Sequence, residues 1–342
     1  MRGRLAVLAA CVAVARASAA CSIDVGARIV DDSRRPVEKG APPPRSMPAD
    51  LVDAFTRCGS VPVHDFYVDD TLGGKGLFVE FGKESFDKQL KSAQALIAKA
   101  DAQKGRKPFL LSIPGALGRA AEAMRRHRGV FAGARVAVFG SQQPTYETLA
   151  LALGAESVTV FEYQVPKFQH PRVVTADARA LGAAAAAQGG WPAPTDELAP
   201  GGERWLREGG QFDVALSVSS FDHDGLGRYG DPLCPDGDLR AMDTAMLAVR
   251  PGGLLFVSVP VGPDAVAFNL MRRYGRQRLP LLLEGWTDVD RVTWEDDRLD
   301  AEVDIRRTYE PVFVLRKPAA GEQPTDWLRE MRRAAPGTQD EL

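Results

Sequence analysis

The sequence predicts an α/β domain built on a doubly wound, mostly parallel sheet, preceded by a helical extension. Three observations carry that prediction. From Ala134 onward, short apolar runs alternate with helical stretches, the pattern of parallel strands joined by crossover helices. The first run ends in a glycine turn, Gly140-Ser141-Gln142-Gln143-Pro144, that opens directly into a helix. The second run ends in an acid, Glu162, about twenty residues after that glycine, the spacing at which a carboxylate meets a ribose in sheets of this kind.

Taken in order, the expected strands are Arg135 to Phe139, Ser157 to Phe161, Val173 to Thr175, Phe212 to Ser217 and Leu254 to Val259. Trp286 to Trp294 and Tyr309 to Leu315 supply two more, and helices are expected at Thr145 to Leu153 and Leu239 to Val249. Together they define a domain over residues 134–318. Ahead of it, residues 49–133 read as a helical cap, with helices at Ala49 to Cys58, Ser85 to Ala100 and Pro114 to His127; Phe86, Leu90, Ala93, Leu96 and Ile97 form the apolar face of the second. Residues 21–48, with Pro42, Pro43 and Pro44 in a row, read as linker. The alanine- and glycine-rich piece from Gly182 to Gly210 reads as a surface insertion, and residues 319–342 as a loose tail with a short helix from Thr325 to Arg333.

Size and charge narrow the function. The 342 residues suffice for one large domain with extensions. With 43 Lys and Arg against 45 Asp and Glu, the net charge of -2 offers no broad attraction for nucleic acid or an anionic membrane. A small-molecule or glycan substrate is therefore expected, and the sequence is silent on oligomeric state. Over residues 1–20, Arg2 and Arg4 precede an apolar run from Leu5 to Ala15, followed by Ala17 and Ala19 around Ser18. That order is the one found in secretory signal peptides, and it predicts a secreted or secretory-pathway protein. The other open reading is an organelle transit peptide, since no acid precedes Asp24 and Arg16, Ser18 and Ser22 are present. The apolar run is shorter than the roughly 20 residues of a membrane helix, so no span is expected. Cleavage leaves Cys21, Cys58 and Cys234, an odd number; a Cys58 to Cys21 bridge and unpaired thiols are both open. No Cys-x-x-Cys or His-x-x-x-His spacing occurs, so no metal site is expected.

Ligands of a doubly wound sheet sit outside the carboxyl ends of the strands, where strand order reverses. Gly140 allows a sharp turn and close backbone approach, while Ser141 and Gln142 offer hydrogen bonds to a polar tail. Glu162 suits the ribose hydroxyls, and Asp177, after the third strand, an exocyclic adenine amine. The second and third glycines of a dinucleotide fingerprint are absent, with Gln142 and Thr145 near their places, which disfavours a nicotinamide cofactor. After the fourth strand, Asp222, His223, Asp224, Arg228, Tyr229 and Asp231 fall within ten residues, separated by Gly225, Gly227 and Gly230. His223 is the natural general base with Asp222 or Asp224 to orient it, Asp222 in the mechanism expected, or else it pins the loop to a backbone carbonyl. Arg228 holds a substrate anion or Asp231 across the turn; Tyr229 donates to substrate or anchors the loop; Asp231 is a catalytic acid or starts the Asp-Pro turn. Arg272, Arg273, Arg276 and Arg278 read as a basic rim or a solvated helix face.

The order of glycine loop, Glu162, Asp177, Phe212-Asp213-Val214 and Arg250-Pro251-Gly252-Gly253 resembles class I S-adenosylmethionine-dependent methyltransferases over about half the chain. Within them, the run from Ser219 to Leu233, with Phe268-Asn269, Tyr274-Gly275, Arg278-Leu279-Pro280 and Glu284-Gly285, resembles the domain-of-unknown-function family number 268. The resemblance implies a Rossmann-like fold, S-adenosylmethionine as cofactor, and cofactor positions at Gly140, Ser141, Gln142, Glu162, Tyr163, Asp177, Ala178 and Ser217. Methyl transfer on that fold is expected with His223, Asp222, Arg228, Tyr229 and Asp231, singled out above by their own chemistry, at the reaction centre. A non-catalytic scaffold on the same fold is the alternative, and a nicotinamide-dependent oxidoreductase a more remote one.

Overall fold

The structure is a computed structural model and describes residues 28, 35, 40–103, 108–179, 181, 211–301 and 304–333. The signal segment and the Gly182 to Gly210 insertion lie outside the described residues. Twelve strands are described: β1 (Val63–Asp65), β2 (Glu80–Phe81), β3 (Arg135–Phe139), β4 (Ser157–Glu162), β5 (Lys167–Phe168), β6 (Val173–Asp177), β7 (Phe212–Val218), β8 (Val249–Ser258), β9 (Ala265–Phe268), β10 (Met271–Arg273), β11 (Thr287–Val292) and β12 (Val312–Arg316).

Seven of them form the central sheet in the order β11-β12-β8-β7-β3-β4-β6. By position in the chain these are the sixth, seventh, fifth, fourth, first, second and third strands of the sheet. β3, β4, β6, β7 and β8 pair in parallel, and β12 pairs antiparallel with both β8 and β11. This is the doubly wound Rossmann order with one reversed strand inserted next to its last. Strand order turns between β3 and β7.

Side-chain alternation along the strands feeds two cores. Val136, Val138, Val158, Val160, Val214 and Leu216 face helices Lys83–Ala102, Gly115–Arg126 and Thr145–Ala152, with Phe86, Ile97, Met124 and Leu149 packed onto them. Ala137, Phe139, Phe161 and Ala215 face helices Gly237–Ala248, Arg278–Leu283 and Trp327–Arg333 through Leu239, Met242, Leu279 and Trp327. Burial on both faces makes the strands read as near-continuous apolar runs.

The periphery departs from expectation. The stretch over residues 49–133 is more than a helical cap: β1 lies parallel to β9, β10 completes a three-stranded sheet, and β2 pairs with β5. These strands are two to four residues long, too short for a period of two to register in sequence. In the expected linker, Arg28 reaches Asp243 at 2.6 Å and Arg35 exchanges backbone hydrogen bonds with Leu233 at 2.8 and 2.9 Å. In the expected loose tail, Trp327 and Met331 are buried and the Trp327 indole donates to the Trp286 carbonyl at 3.0 Å.

Candidate functional site

The loops after β3, β4, β6 and β7 meet at the carboxyl edge of the sheet. Gly140 takes φ 71°, and a Cβ there would collide with the Ser220 side chain in the loop after β7. Only glycine lets these two loops touch. The Ser141 amide donates to Glu162 Oε2 at 2.9 Å and the Tyr163 amide to Oε1 at 2.8 Å. The Glu162 carboxylate thus ties the glycine turn to the end of β4, and burial raises its pKa. The side chains of Ser141 and Gln142 border the turn, the former buried and donating to the Gln143 carbonyl at 2.9 Å.

The loop after β7 starts under strain, with Ser219 at φ 52°, in the left-handed region that non-glycine residues rarely occupy. Its shape is set by Asp231, whose Oδ2 accepts the amides of Gly225 and Gly227 at 2.8 and 3.0 Å and whose Oδ1 accepts that of Tyr229 at 3.1 Å. An acid this fully used by the backbone organises the loop, in keeping with the turn-starting role that the sequence also offered for it. Arg272 staples the same loop from beneath. Buried on β10, it donates to the carbonyls of Asp222 and Asp224 at one end and of Cys234 and Pro235 at the other. Arg278 pairs with the buried Asp238, and although burial opposes it, Arg272 and Arg278 hold that carboxyl well below its ordinary range. The run expected as a basic rim or solvated face is therefore partly interior: Arg272, Arg273 and Arg278 are buried.

His223 sits at the centre of the loop. Its Nδ1 lies 2.6 Å from the Leu270 carbonyl, so Nδ1 carries the proton and Nε2 the lone pair. Burial, and next the nearby Arg228, push the imidazole down to about 3. Asp222 Oδ2 is 3.6 Å from Nε2, beyond hydrogen-bond distance. The sequence offered His223 an acid or a backbone carbonyl as its partner, and the geometry matches the second, the carbonyl of Leu270. Arg228 pairs with Asp70 at 2.6 Å rather than with Asp231, and lies over the Tyr229 ring at 4.9 Å. Tyr229 itself meets His223 edge to face at 5.8 Å.

Asp177 is in register with Glu162, and its carboxylate is held by Arg179 at 2.9 and 3.1 Å. Arg179 also stands over Tyr163 at 5.3 Å and reaches the Gly230 carbonyl at 3.4 Å, bringing the end of β6 to the β7 loop. Ala178 packs against the second core. Ser217 is buried next to the carboxyl end of β7.

Sequence reasoning missed two contributors. Asp70 belongs to the N-terminal extension, yet its carbonyl accepts from Gln164 at 2.8 Å as its carboxylate holds Arg228. Nothing local to Asp69-Asp70-Thr71 signals a partner 158 residues away. Glu147, in the first turn of the Thr145–Ala152 helix, is fully buried with neither carboxyl oxygen hydrogen-bonded, and burial pushes it up to about 7. Its signal was available: an acid among the apolar residues of a helix that opens from the glycine turn. The Asp222 carboxyl, which the sequence did single out, is equally buried with both oxygens unpartnered; burial, then the neighbouring Glu310, raise its pKa well above the ordinary value.

Among the described residues, no helix is long and apolar enough to cross a membrane. Cys58 is disulfide-bonded, Cys21 lies outside the described residues, and Cys234 is a free, buried thiol.

Residues 199–311, about a third of the chain, match the family model described as "Caenorhabditis protein of unknown function, DUF268". The matched segment contains the loop from Ser219 to Asp231 and the Arg272 staple. No curated protein matches the chain. Among solved structures, the chain is similar to the 1,6-didemethyltoxoflavin-N1-methyltransferase of Burkholderia thailandensis, solved with 1,6-didemethyltoxoflavin and S-adenosylhomocysteine: 20% identity, TM-score 0.38, covering 70% of this chain and 92% of that one. It is also similar to the N-methyltransferase NodS of Bradyrhizobium japonicum WM9 in complex with S-adenosyl-L-homocysteine: 16% identity, TM-score 0.32, covering 66% and 99%.

Proposed function

We propose that this chain, with its DUF268 segment on a Rossmann-like sheet, is an S-adenosylmethionine-dependent methyltransferase for a small-molecule or glycan acceptor, with His223 as proton acceptor. The observation that carries the reading is the meeting of the Gly140 turn, Glu162 and the His223 loop at the switch point between β3 and β7, where a doubly wound sheet binds its ligand.

The residues there fit the cofactor. A carboxylate has about four acceptor positions, so Glu162 keeps capacity for ribose hydroxyls beyond its two amide bonds. Ser141 and Gln142 border the turn where a polar tail would lie. Asp177 is an adenine contact only in company with Arg179. When bound, the sulfonium supplies an activated methyl group whose C–S electron pair stays on sulfur as the new bond forms. The chain's share is alignment and proton removal. Leu270 fixes the tautomer that leaves Nε2 unprotonated and able to take the acceptor's proton.

Thermal shift tests the cofactor: at hundredfold excess over Kd, S-adenosylmethionine or S-adenosylhomocysteine adds about 2.7 kcal/mol of stability. No shift with either leaves the non-catalytic scaffold, and a shift with NADH alone favours the oxidoreductase. An undiminished rate in His223→Ala with a working acceptor removes His223 from the chemistry. For location we propose the secretory pathway, a reading supported by the disulfide at Cys58, a bond that persists in oxidising compartments.

A further inference from the structure

The acid–base inventory at the switch point is lopsided. Asp222 is fully buried with both carboxyl oxygens unpartnered, and His223 Nε2, 3.6 Å from one of them, is an acceptor because Nδ1 is spent on Leu270. Buried acceptors without donors are costly. The neighbouring cations are already engaged: Arg228 with Asp70, the Leu270 carbonyl and Nδ1 of His223, Arg179 with Asp177, and Arg272 with backbone carbonyls and Asp238. Glu310 adds a further carboxyl near Asp222. Three acceptor atoms thus converge where the loop after β7 begins.

We propose that the methyl acceptor is an amine, which docks by donating its N–H groups to the Asp222 carboxyl oxygens and to Nε2 of His223. This rests on the methyltransferase reading of the same site and narrows its substrate class. Carboxylates and phosphates bring only acceptors and would face Asp222, Glu310 and the His223 lone pair without a disengaged guanidinium. A neutral primary amine brings two N–H donors, one for Asp222 and one for Nε2, and keeps its lone pair for the methyl group. Access to Asp222 requires the loop to lift. Its bonds to the β4 and β6 ends are long, 3.5 Å from Gln164 to the Tyr229 carbonyl and 3.4 Å from Arg179 to that of Gly230, and long bonds are weak ones.

Three probes of one shape test the proposal: benzylamine, benzyl alcohol and benzoate, titrated by ligand-observed NMR into the full chain with and without S-adenosylhomocysteine. Benzylamine is expected to bind at least tenfold more tightly than benzoate, and Asp222→Asn to weaken it about tenfold. Asp222→Asn removes a buried acid of raised pKa, so it should unfold at higher urea than wild type; weaker binding then cannot be put down to unfolding. Equal binding of benzoate, an unchanged benzylamine affinity in Asp222→Asn, or no binding of any probe overturns the proposal. So does a tenfold loss confined to S-adenosylhomocysteine in that variant, which would assign the carboxyl to the cofactor's own ammonium. Failure of S-adenosylhomocysteine to bind wild type, with benzylamine binding intact, sinks the methyltransferase reading and leaves the amine site standing.

Discussion

Gly140 and Asp231 do different work in the same few ångströms. Gly140 is required by its backbone: φ 71° and the Ser220 side chain leave no room for a methyl. Gly140→Ala should therefore cost at least about 2 kcal/mol in urea unfolding, the sum of left-handed strain and a forced loop shift. It should also weaken S-adenosylhomocysteine binding, because the displaced loop carries Ser219 and Ser220. Asp231 is required by its two oxygens. Asp231→Ala strands three amides in a buried loop, at about 1–3 kcal/mol. Amide hydrogen exchange should rise at Gly225, Gly227 and Tyr229; unchanged protection there would show that another group organises the loop.

At the scale of elements, the loop after β7 is held from two sides that differ in strength. Beneath it, Arg272, Arg278, Asp236, Asp238 and Arg57 form a buried ionic cluster, with Tyr274 donating to Asp238 at 2.9 Å. Removing one member leaves an uncompensated charge, so Asp238→Asn should cost about 3–5 kcal/mol. Above it, the Asp70–Arg228 pair is partly solvated, with side chains 30% and 17% exposed, and Asp70→Asn should cost no more than about 1 kcal/mol. Exchange should nevertheless quicken over residues 219–231 in Asp70→Asn, because the N-terminal segment then loses its ionic hold on the loop. The same division explains what was legible in sequence. β3, β4, β6, β7, β8 and their helices were readable, since each carries a continuous apolar run set by burial on both faces. The loop was readable as a dense polar segment after β7. The partners of its side chains were not: Asp70, Leu270 and Arg272 meet it only through tertiary packing. Arg272 and Arg278 looked like solvent-facing cations because charge patterning is silent on burial.

Over the whole molecule, the carboxyl edge of the sheet concentrates acids whose folded pKa lies above the ordinary value: Glu147 at about 7, with Glu162, Asp222, Asp224 and Asp231 raised, all chiefly by desolvation. In the window between ordinary carboxylate values and these raised ones, the folded chain binds more protons than the unfolded one. Stability therefore falls as pH rises through that window. His223 has the opposite sign. Lowered to about 3, it makes the unfolded chain the better proton binder from there up to about 6.5, so its contribution rises with pH. Several acids oppose one histidine, and the urea midpoint should be higher near pH 5.5 than at pH 8. Glu147 allows a single-residue check, because its value of about 7 lies inside the measurable range. At pH 5 both wild type and Glu147→Gln are neutral at this position. At pH 8 only the wild type has to bury a charge. The stability of Glu147→Gln relative to wild type should accordingly grow by about 1–3 kcal/mol between the two pH values. A difference independent of pH would mean that the fold supplies this carboxylate with a donor, and that the edge of the sheet is less acid-stressed than its geometry implies.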